Sequence, residues 1–245
     1  MKGKKLEKIV RILLLFIVMA IVVWAFKAGS FDFMMNNPGD LLYLGGQHIR
    51  LVAISSLFAI LIAVPLGIII TRPKYKKYDW IVINFANVGQ TIPTLAILAL
   101  IMSYLGLGWQ TAVFALWFNS LLPILRNTVA GIESVNRSIL DAGEGMGMTR
   151  KQILWKLEIT NALPIILAGI RTSIVINVGS AALAFLIGGG GLGDLIFTGI
   201  AMSDTGIMLS GAIPVIFLAI FLDFILGMFE KVVVSKGIQR NLEAA

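Results

Sequence analysis

Six apolar stretches, each near the length that crosses a bilayer, dominate this chain: roughly 9–26, 49–70, 81–104, 110–129, 162–187 and 207–229. About 20 helical residues are needed to span a hydrocarbon core. Inside that core every backbone polar group must be satisfied by the protein, and a helix does this within one segment. The runs therefore predict an all-α fold: a polytopic membrane helix bundle of about six transmembrane helices. Charged residues make up 13% of the chain, against about 25% in soluble domains. One compact bundle is expected, with no separate soluble domain.

Basic residues orient the bundle. Lys2, Lys4, Lys5, Lys8 and Arg11 precede the first run, and Arg72, Lys74, Lys76 and Lys77 follow the second. Arg126, Arg137, Arg150, Lys151 and Lys156 follow the fourth, and Lys231, Lys236 and Arg240 follow the sixth. These are 17 of the 20 Lys and Arg residues, all at one face, which the positive-inside rule makes cytoplasmic. Both termini are then cytoplasmic. The net charge of +7 is accounted for by topology, so it does not point to nucleic acid. The first run resembles a signal peptide, but no small-residue cleavage site follows cleanly, so it is read as a retained anchor helix. The expected division is 1–47 for the anchor helix and first outer loop, 48–230 for the membrane core, and 231–245 for a cytoplasmic tail.

Several chemistries are excluded. There is no cysteine and one histidine, His48, so disulfides and a histidine-rich metal site are absent from the reading. No G-x-x-x-x-G-K-[ST] occurs, nor any Ser/His/Asp set. The chain is not read as an enzyme, and any ATP used must be hydrolysed by a separate subunit. Gly188-x-Gly190-x-x-Gly193 matches the dinucleotide fingerprint in letters only, because it follows a membrane helix rather than a strand. Gly189, Gly190, Gly191 and Gly193 are read instead as a flexible or re-entrant turn at the outer mouth, either gating a path or letting the chain turn.

Polar residues inside the runs have two readings: interhelical hydrogen bonds, or the lining of a path. They are Asn84, Asn87, Gln90 and Thr91 in the third run, Asn119 and Ser120 in the fourth, and Asn177 and Ser180 in the fifth. Five of the seven prolines fall inside runs two to six, which suggests helices bent around a pathway. Arg171 lies well inside the fifth run, facing the interior or water, or snorkelling to the inner surface. Asp223 is the main acidic residue away from a span end. Trp109, Phe114, Trp117 and Phe118 are read as packing and interface anchoring rather than a cation cage.

The polar segment 138–164 interrupts this pattern. Ser138-x-x-Asp141 and Thr149-x-x-Gln152 each read as a capping box, and Gly145 and Gly147 supply the turn between two short helices. Such order in a membrane protein's loop indicates docking of a soluble partner, or two amphipathic helices on the lipid surface. Asp141-Ala142-Gly143-x3-Gly147 resembles the EAA-x3-G signature of ABC importer membrane subunits. The signature usually ends in I-x-L-P; here Thr160 stands for that proline, and Leu163-Pro164 follows. Gln90-Thr91-Ile92-Pro93, Leu122-Pro123-Ile124-Leu125-Arg126-Asn127 and the segment 189–196 extend the resemblance to the osmoprotectant branch. Permeases of that branch import glycine betaine, choline, carnitine or related solutes, and methionine importer permeases are close relatives.

The resemblance implies a type I importer core of five helices in a plasma membrane. It implies a second permease subunit, identical or similar, a cytoplasmic ATP-binding subunit that uses ATP and Mg, and an extracytoplasmic solute-binding protein. Asp141, Ala142, Gly143, Gly145, Gly147, Met148 and Thr149 would form the docking loop. The competing classes are a permease for another solute such as methionine, a stand-alone secondary transporter or channel, and a membrane-embedded enzyme.

Overall fold

The structure is a computed structural model that describes Phe26 and residues 31–234. The anchor helix expected at 9–26 lies outside the described residues except for Phe26. The described residues form helices and turns throughout. A short α1 (Asp32–Asn36) leads into α2 (Pro38–Ile70), and a 3-10 turn (Lys76–Tyr78) into α3 (Asp79–Thr91) and α4 (Thr94–Leu105). Next come α5 (Trp109–Glu133), α6 (Arg137–Gly145) and α7 (Arg150–Ile153). A π turn (Leu154–Glu158), α8 (Ile159–Ser180), a 3-10 segment (Ala181–Ile187), α9 (Gly193–Met202) and α10 (Thr205–Val233) follow in the described residues.

Among the described residues, four helices are long and apolar enough to cross a membrane, or five if a bent pair counts as one span. The pair is the expected third run. It is not one continuous helix: α3 and α4 meet at a 100° bend. Pro93 explains the break. It has no N–H to continue α3 and disfavours helical backbone at the residue before it, and Ile92 is extended at φ −80°, ψ 128°. By contrast, Pro65, Pro123, Pro164 and Pro214 lie inside unbroken helices. Of the five prolines expected to bend helices, Pro93 is the one at which a helix is interrupted. Proline at 123 frees the carbonyl of Asn119, four residues back, and Gln90 Nε2 points at that oxygen from 3.5 Å.

At the centre is α5, buried along most of its length between α2, α8 and the α3–α4 pair. Small residues permit the close approach. Ala59, Ala63 and Gly67 recur every four residues on α2, and a Cβ at Gly67 would sit 2.7 Å from Thr128 Cγ2 of α5. Leu121, Leu122, Ile124 and Leu125 fill the same interface. Nearer the glycine turn, Leu51, Val52, Leu98, Leu116 and Val178 form the second half of the core.

Asn177 locks α8 to α2. It is fully buried, and its Nδ2 donates to Ser55 Oγ at 3.2 Å and to Ser56 Oγ at 3.3 Å. Hydrogen bonds between membrane helices contribute roughly 0.6–2 kcal/mol. Asn177→Ala is therefore expected to destabilise the bundle by about 1–2 kcal/mol. Thermal denaturation in detergent measures this, and a midpoint equal to wild type would refute the lock.

Candidate functional site

The 138–164 segment differs from the two separate helices expected of it. Helix α6 is short, but α7, the π turn, α8 and the 3-10 segment run on as one helical rod over Arg150–Ile187. The second capping box forms as read. Thr149 Oγ1 accepts from Gln152 N at 3.3 Å, and Gln152 Oε1 accepts from Thr149 N at 2.8 Å. The first does not. Asn136 is the N-cap of α6, its Oδ1 accepting from Ser138 N at 2.9 Å, so Ser138 lies inside the first turn. Asparagine caps as well as serine, and here it comes two residues earlier.

The turn between α6 and α7 is a Schellman motif. Gly147 takes φ +76°, Met148 N donates to Gly143 O at 3.1 Å, and Gly147 N donates to Glu144 O at 2.9 Å. Gly145, expected to share the turning, is simply the last residue of α6. Gly143 is buried, and a Cβ there would lie 2.6 Å from Leu157 Cδ1, which seats α6 against the rod. Asp141, Ala142, Gly145, Gly147 and Thr149 remain exposed, and so does Met146 at 73%.

One further contact ties this unit to the bundle. Arg72, at the end of α2, pairs with Glu158 of the π turn at 2.5 Å. From the first turn of α8, Thr160 Oγ1 donates to Trp155 O at 3.2 Å and Asn161 Nδ2 to Leu157 O at 2.7 Å, both carbonyls of the π turn. Threonine at the signature's proline position thus serves a carbonyl of the wide π turn. A cleft of about 590 Å³ lies beside α6 and α7, lined by Arg72, Lys74, Glu144, Arg150, Lys151 and Glu158.

The glycine turn at the opposite end of the rod is packed rather than loose. Gly190 and Gly191 take φ +75° and +95°, and Gly191 N donates to Gln47 Oε1 at 3.0 Å. His48 lies buried under Gly191, with Nε2 bonded to Val178 O at 2.8 Å. A carbonyl only accepts, so Nε2 carries the proton. Gly108 N donates to Ile187 O at 2.8 Å, and Gly189 N to Ala184 O at 2.8 Å. The chain folds back through α9, a 10-residue helix packed against α10.

The polar residues expected along a path separate into groups. Asn84, Gln90 and Thr91 are exposed on α3, and Asn87 Oδ1 accepts from Arg126 Nη2 at 3.1 Å. Asn119 faces Thr94 across the broken span, with Nδ2 to Oγ1 at 3.4 Å. Asn177 is not with them, and Ser180 is half-buried at the end of α8. Phe114, Trp117 and Phe118 pack on one another, and Phe118 meets Phe85 edge-on at 5.5 Å.

One charged cluster, not evident from either residue alone, joins two spans. Arg171 of α8 grips Asp223 of α10 with two hydrogen bonds, Nε to Oδ1 at 2.5 Å and Nη2 to Oδ2 at 2.6 Å. Glu230 Oε2 lies 3.9 Å from Arg171 Nη1. Two opposite charges inside two separate spans were the available signal.

Residues 63–234 match the family described as the binding-protein-dependent transport system inner membrane component. The chain belongs to that family. Its relatives are transport permeases. The glycine betaine/carnitine/choline transport system permease protein OpuCB of Bacillus subtilis (strain 168) is 47% identical over 213 residues, which cover 87% of this chain and 97% of that one. The choline transport system permease protein OpuBB of the same organism is 44% identical over 212 residues, covering 86% and 97%. The osmoprotectant import permease protein OsmY of Salmonella typhimurium (strain LT2) is 42% identical over 219 residues, covering 89% and 92%.

Solved structures carry the same fold. A chain of the MetNI methionine ABC transporter in an inward-facing conformation matches with a TM-score of 0.70 at 21% identity, covering 80% of this chain and 97% of that one. An amino acid ABC transporter matches with a TM-score of 0.68 at 19% identity, covering 82% and 97%. The chain is a multi-pass plasma-membrane permease with a type I ABC importer fold, the translocation subunit of an ABC importer.

Proposed function

We propose that this permease imports quaternary-ammonium osmoprotectants of the glycine betaine, carnitine and choline class. In this reading α6 and the α6–α7 turn face the cytoplasm, where they dock on a separate ATP-binding subunit. That subunit binds ATP and Mg; this chain binds no cofactor directly. A second permease chain, identical or similar, completes the path, and a solute-binding protein delivers substrate at the glycine-turn face. Asn84, Asn87, Gln90, Thr91 and Asn119 line the path, and the 188–193 turn acts at its outer gate. Asn177 serves the path from behind, by holding α8 against α2, and Ser180 borders the path at the end of α8.

The observation that carries the coupling role is the continuity of α7 with α8. An exposed, capped element that docks on a partner is here the end of a membrane-crossing rod, so a shift at one end is delivered to the other. Arg72–Glu158 adds α2 to the moving unit. The ATPase drives the change only by binding the outward-facing arrangement better than the inward-facing one. The substrate class is supported by identities of 42–47% over most of the chain.

The test is reconstitution with a cognate ATP-binding subunit and solute-binding protein. The ATPase is expected to co-purify, and ATP-dependent uptake is expected for glycine betaine, carnitine or choline. Uptake of methionine alone would move the chain to another substrate branch. Uptake by the purified chain without ATP or partners would refute the importer reading.

A further inference from the structure

We propose that the groove between α8 and α10, built on Arg171, Asp223, Glu230 and Phe224, is a transit site for zwitterionic substrate within the permease itself. The proposal rests on the osmoprotectant reading above. It begins from where the charges lie. Arg171 is 12 residues past Ile159, and Asp223 is 10 residues before Val233, so both lie inside spans. Charges there are costly and mark pathways by facing a bundle interior or water. This pair is not sealed in the core: the side chains are 35% and 43% exposed. It borders a groove of about 440 Å³ that Phe224, Gly227, Glu230 and Lys231 also line.

The chemistry of the groove suits a small molecule with a carboxylate at one end and a quaternary ammonium at the other. Arg171 and Lys231 balance Asp223 and Glu230, so a net-neutral guest enters a net-neutral site. Asp223 takes Nε and Nη2 of Arg171, while among the described residues Nη1 has only the 3.9 Å contact with Glu230, too long for a hydrogen bond. That edge of the guanidinium can receive a substrate carboxylate. Asp223 and Glu230 supply negative charge for the ammonium end, and Phe224, 63% exposed, supplies an aromatic face for its methyl groups. Gly227 completes the seat, because a Cβ there would lie 3.1 Å from Nη1. Asp223, Gly227 and Glu230 stand four and three residues apart, on one face of α10.

The test uses the complete importer in proteoliposomes, with glycine betaine and choline as probes at saturating concentration. The readout is solute imported per ATP hydrolysed. In the double variant Arg171→Gln/Asp223→Asn, glycine betaine yield is expected to fall about ten- to hundredfold, as when charged hydrogen bonds to a carboxylate are removed. Choline has no carboxylate, so its yield is expected to fall less. The exchange Arg171→Asp/Asp223→Arg rebuilds an ion pair but carries the guanidinium to α10, and glycine betaine yield is expected to stay low. An unchanged yield, an equal loss for both solutes, or recovery in the exchange variant would make the pair a structural staple and overturn the proposal. Should the double variant fail to reach the membrane, Phe224→Leu is expected to lower the yield of both solutes, and an undiminished yield there overturns it equally. If the wild-type complex imports neither solute, the osmoprotectant reading falls and the proposal falls with it.

Discussion

Alanine at Gly193 is expected to prevent this permease from accumulating as a folded protein. A Cβ on Gly193 would stand 1.8 Å from Ala182 O, 2.6 Å from its carbonyl carbon and 2.8 Å from its Cα. All three are backbone atoms of the 3-10 segment, so no rotamer change relieves the clash. Nor can that segment retreat, since Gly189 N and Gly108 N are bonded to Ala184 O and Ile187 O. On the other side, Gly193 begins α9, which is packed along α10. Overpacking in a well-packed core costs about 1–3 kcal/mol where side chains can adjust, and this site offers less relief than that. A loss of at least about 3 kcal/mol is expected, enough to remove much of the stability of a marginal fold. Fluorescence-detected size-exclusion chromatography reports it as lost monodisperse protein. Gly179→Ala is the control, because a Cβ there has nothing within 4 Å. A Gly193→Ala protein that runs and melts like wild type would show that the α9 re-entry is not packed as described.

Much of this architecture was legible because it depends on local pattern. Apolar runs locate the long helices, Thr149-x-x-Gln152 forms its box, and Gly147 sits where the chain needs a left-handed residue. The failures share a different character. Every proline removes the same donor, but only Pro93 breaks its helix. There α3 and α4 each find their own surface on α5, so the two halves are held apart by packing that no local rule contains. Ser138 matched a capping pattern, yet Asn136 captured the helix start first. Asn177 had two readings, helix contact or path lining, and its partners Ser55 and Ser56 lie more than 120 positions away in sequence. Arg171 and Asp223 were each conspicuous, but 52 residues separate them, and pairing is a tertiary fact. The pieces set by one turn of chain were readable; those set by which helix lies against which were not.

Valine at Gly147 is expected to abolish coupled transport while leaving the bundle folded, and Gly145→Ala is expected to retain the fold and the turn. The two glycines look equivalent in sequence and differ in backbone. Gly147 holds φ +76°, a region that disfavours L-residues by about 1–2 kcal/mol and β-branched ones by more. Leaving that conformation breaks the bonds from Met148 N to Gly143 O and from Gly147 N to Glu144 O, and α6 then swings away from Leu157. No atom lies within 4 Å of a Cβ at either glycine, so neither substitution strains the membrane core directly. Gly145 is an ordinary helical residue, where alanine favours the helix by about 1 kcal/mol. Uptake by reconstituted Gly147→Val should fall at least about tenfold, in line with a conformational penalty near 2 kcal/mol, with reduced ATPase co-purification and an unchanged melting temperature. This combination separates coupling from stability. A misfolded bundle would lose both, and a loop that merely lies on the lipid surface would lose neither. Normal uptake by a folded Gly147→Val protein would mean that the ATPase does not read the angle between α6 and the rod, and the coupling assignment would fail.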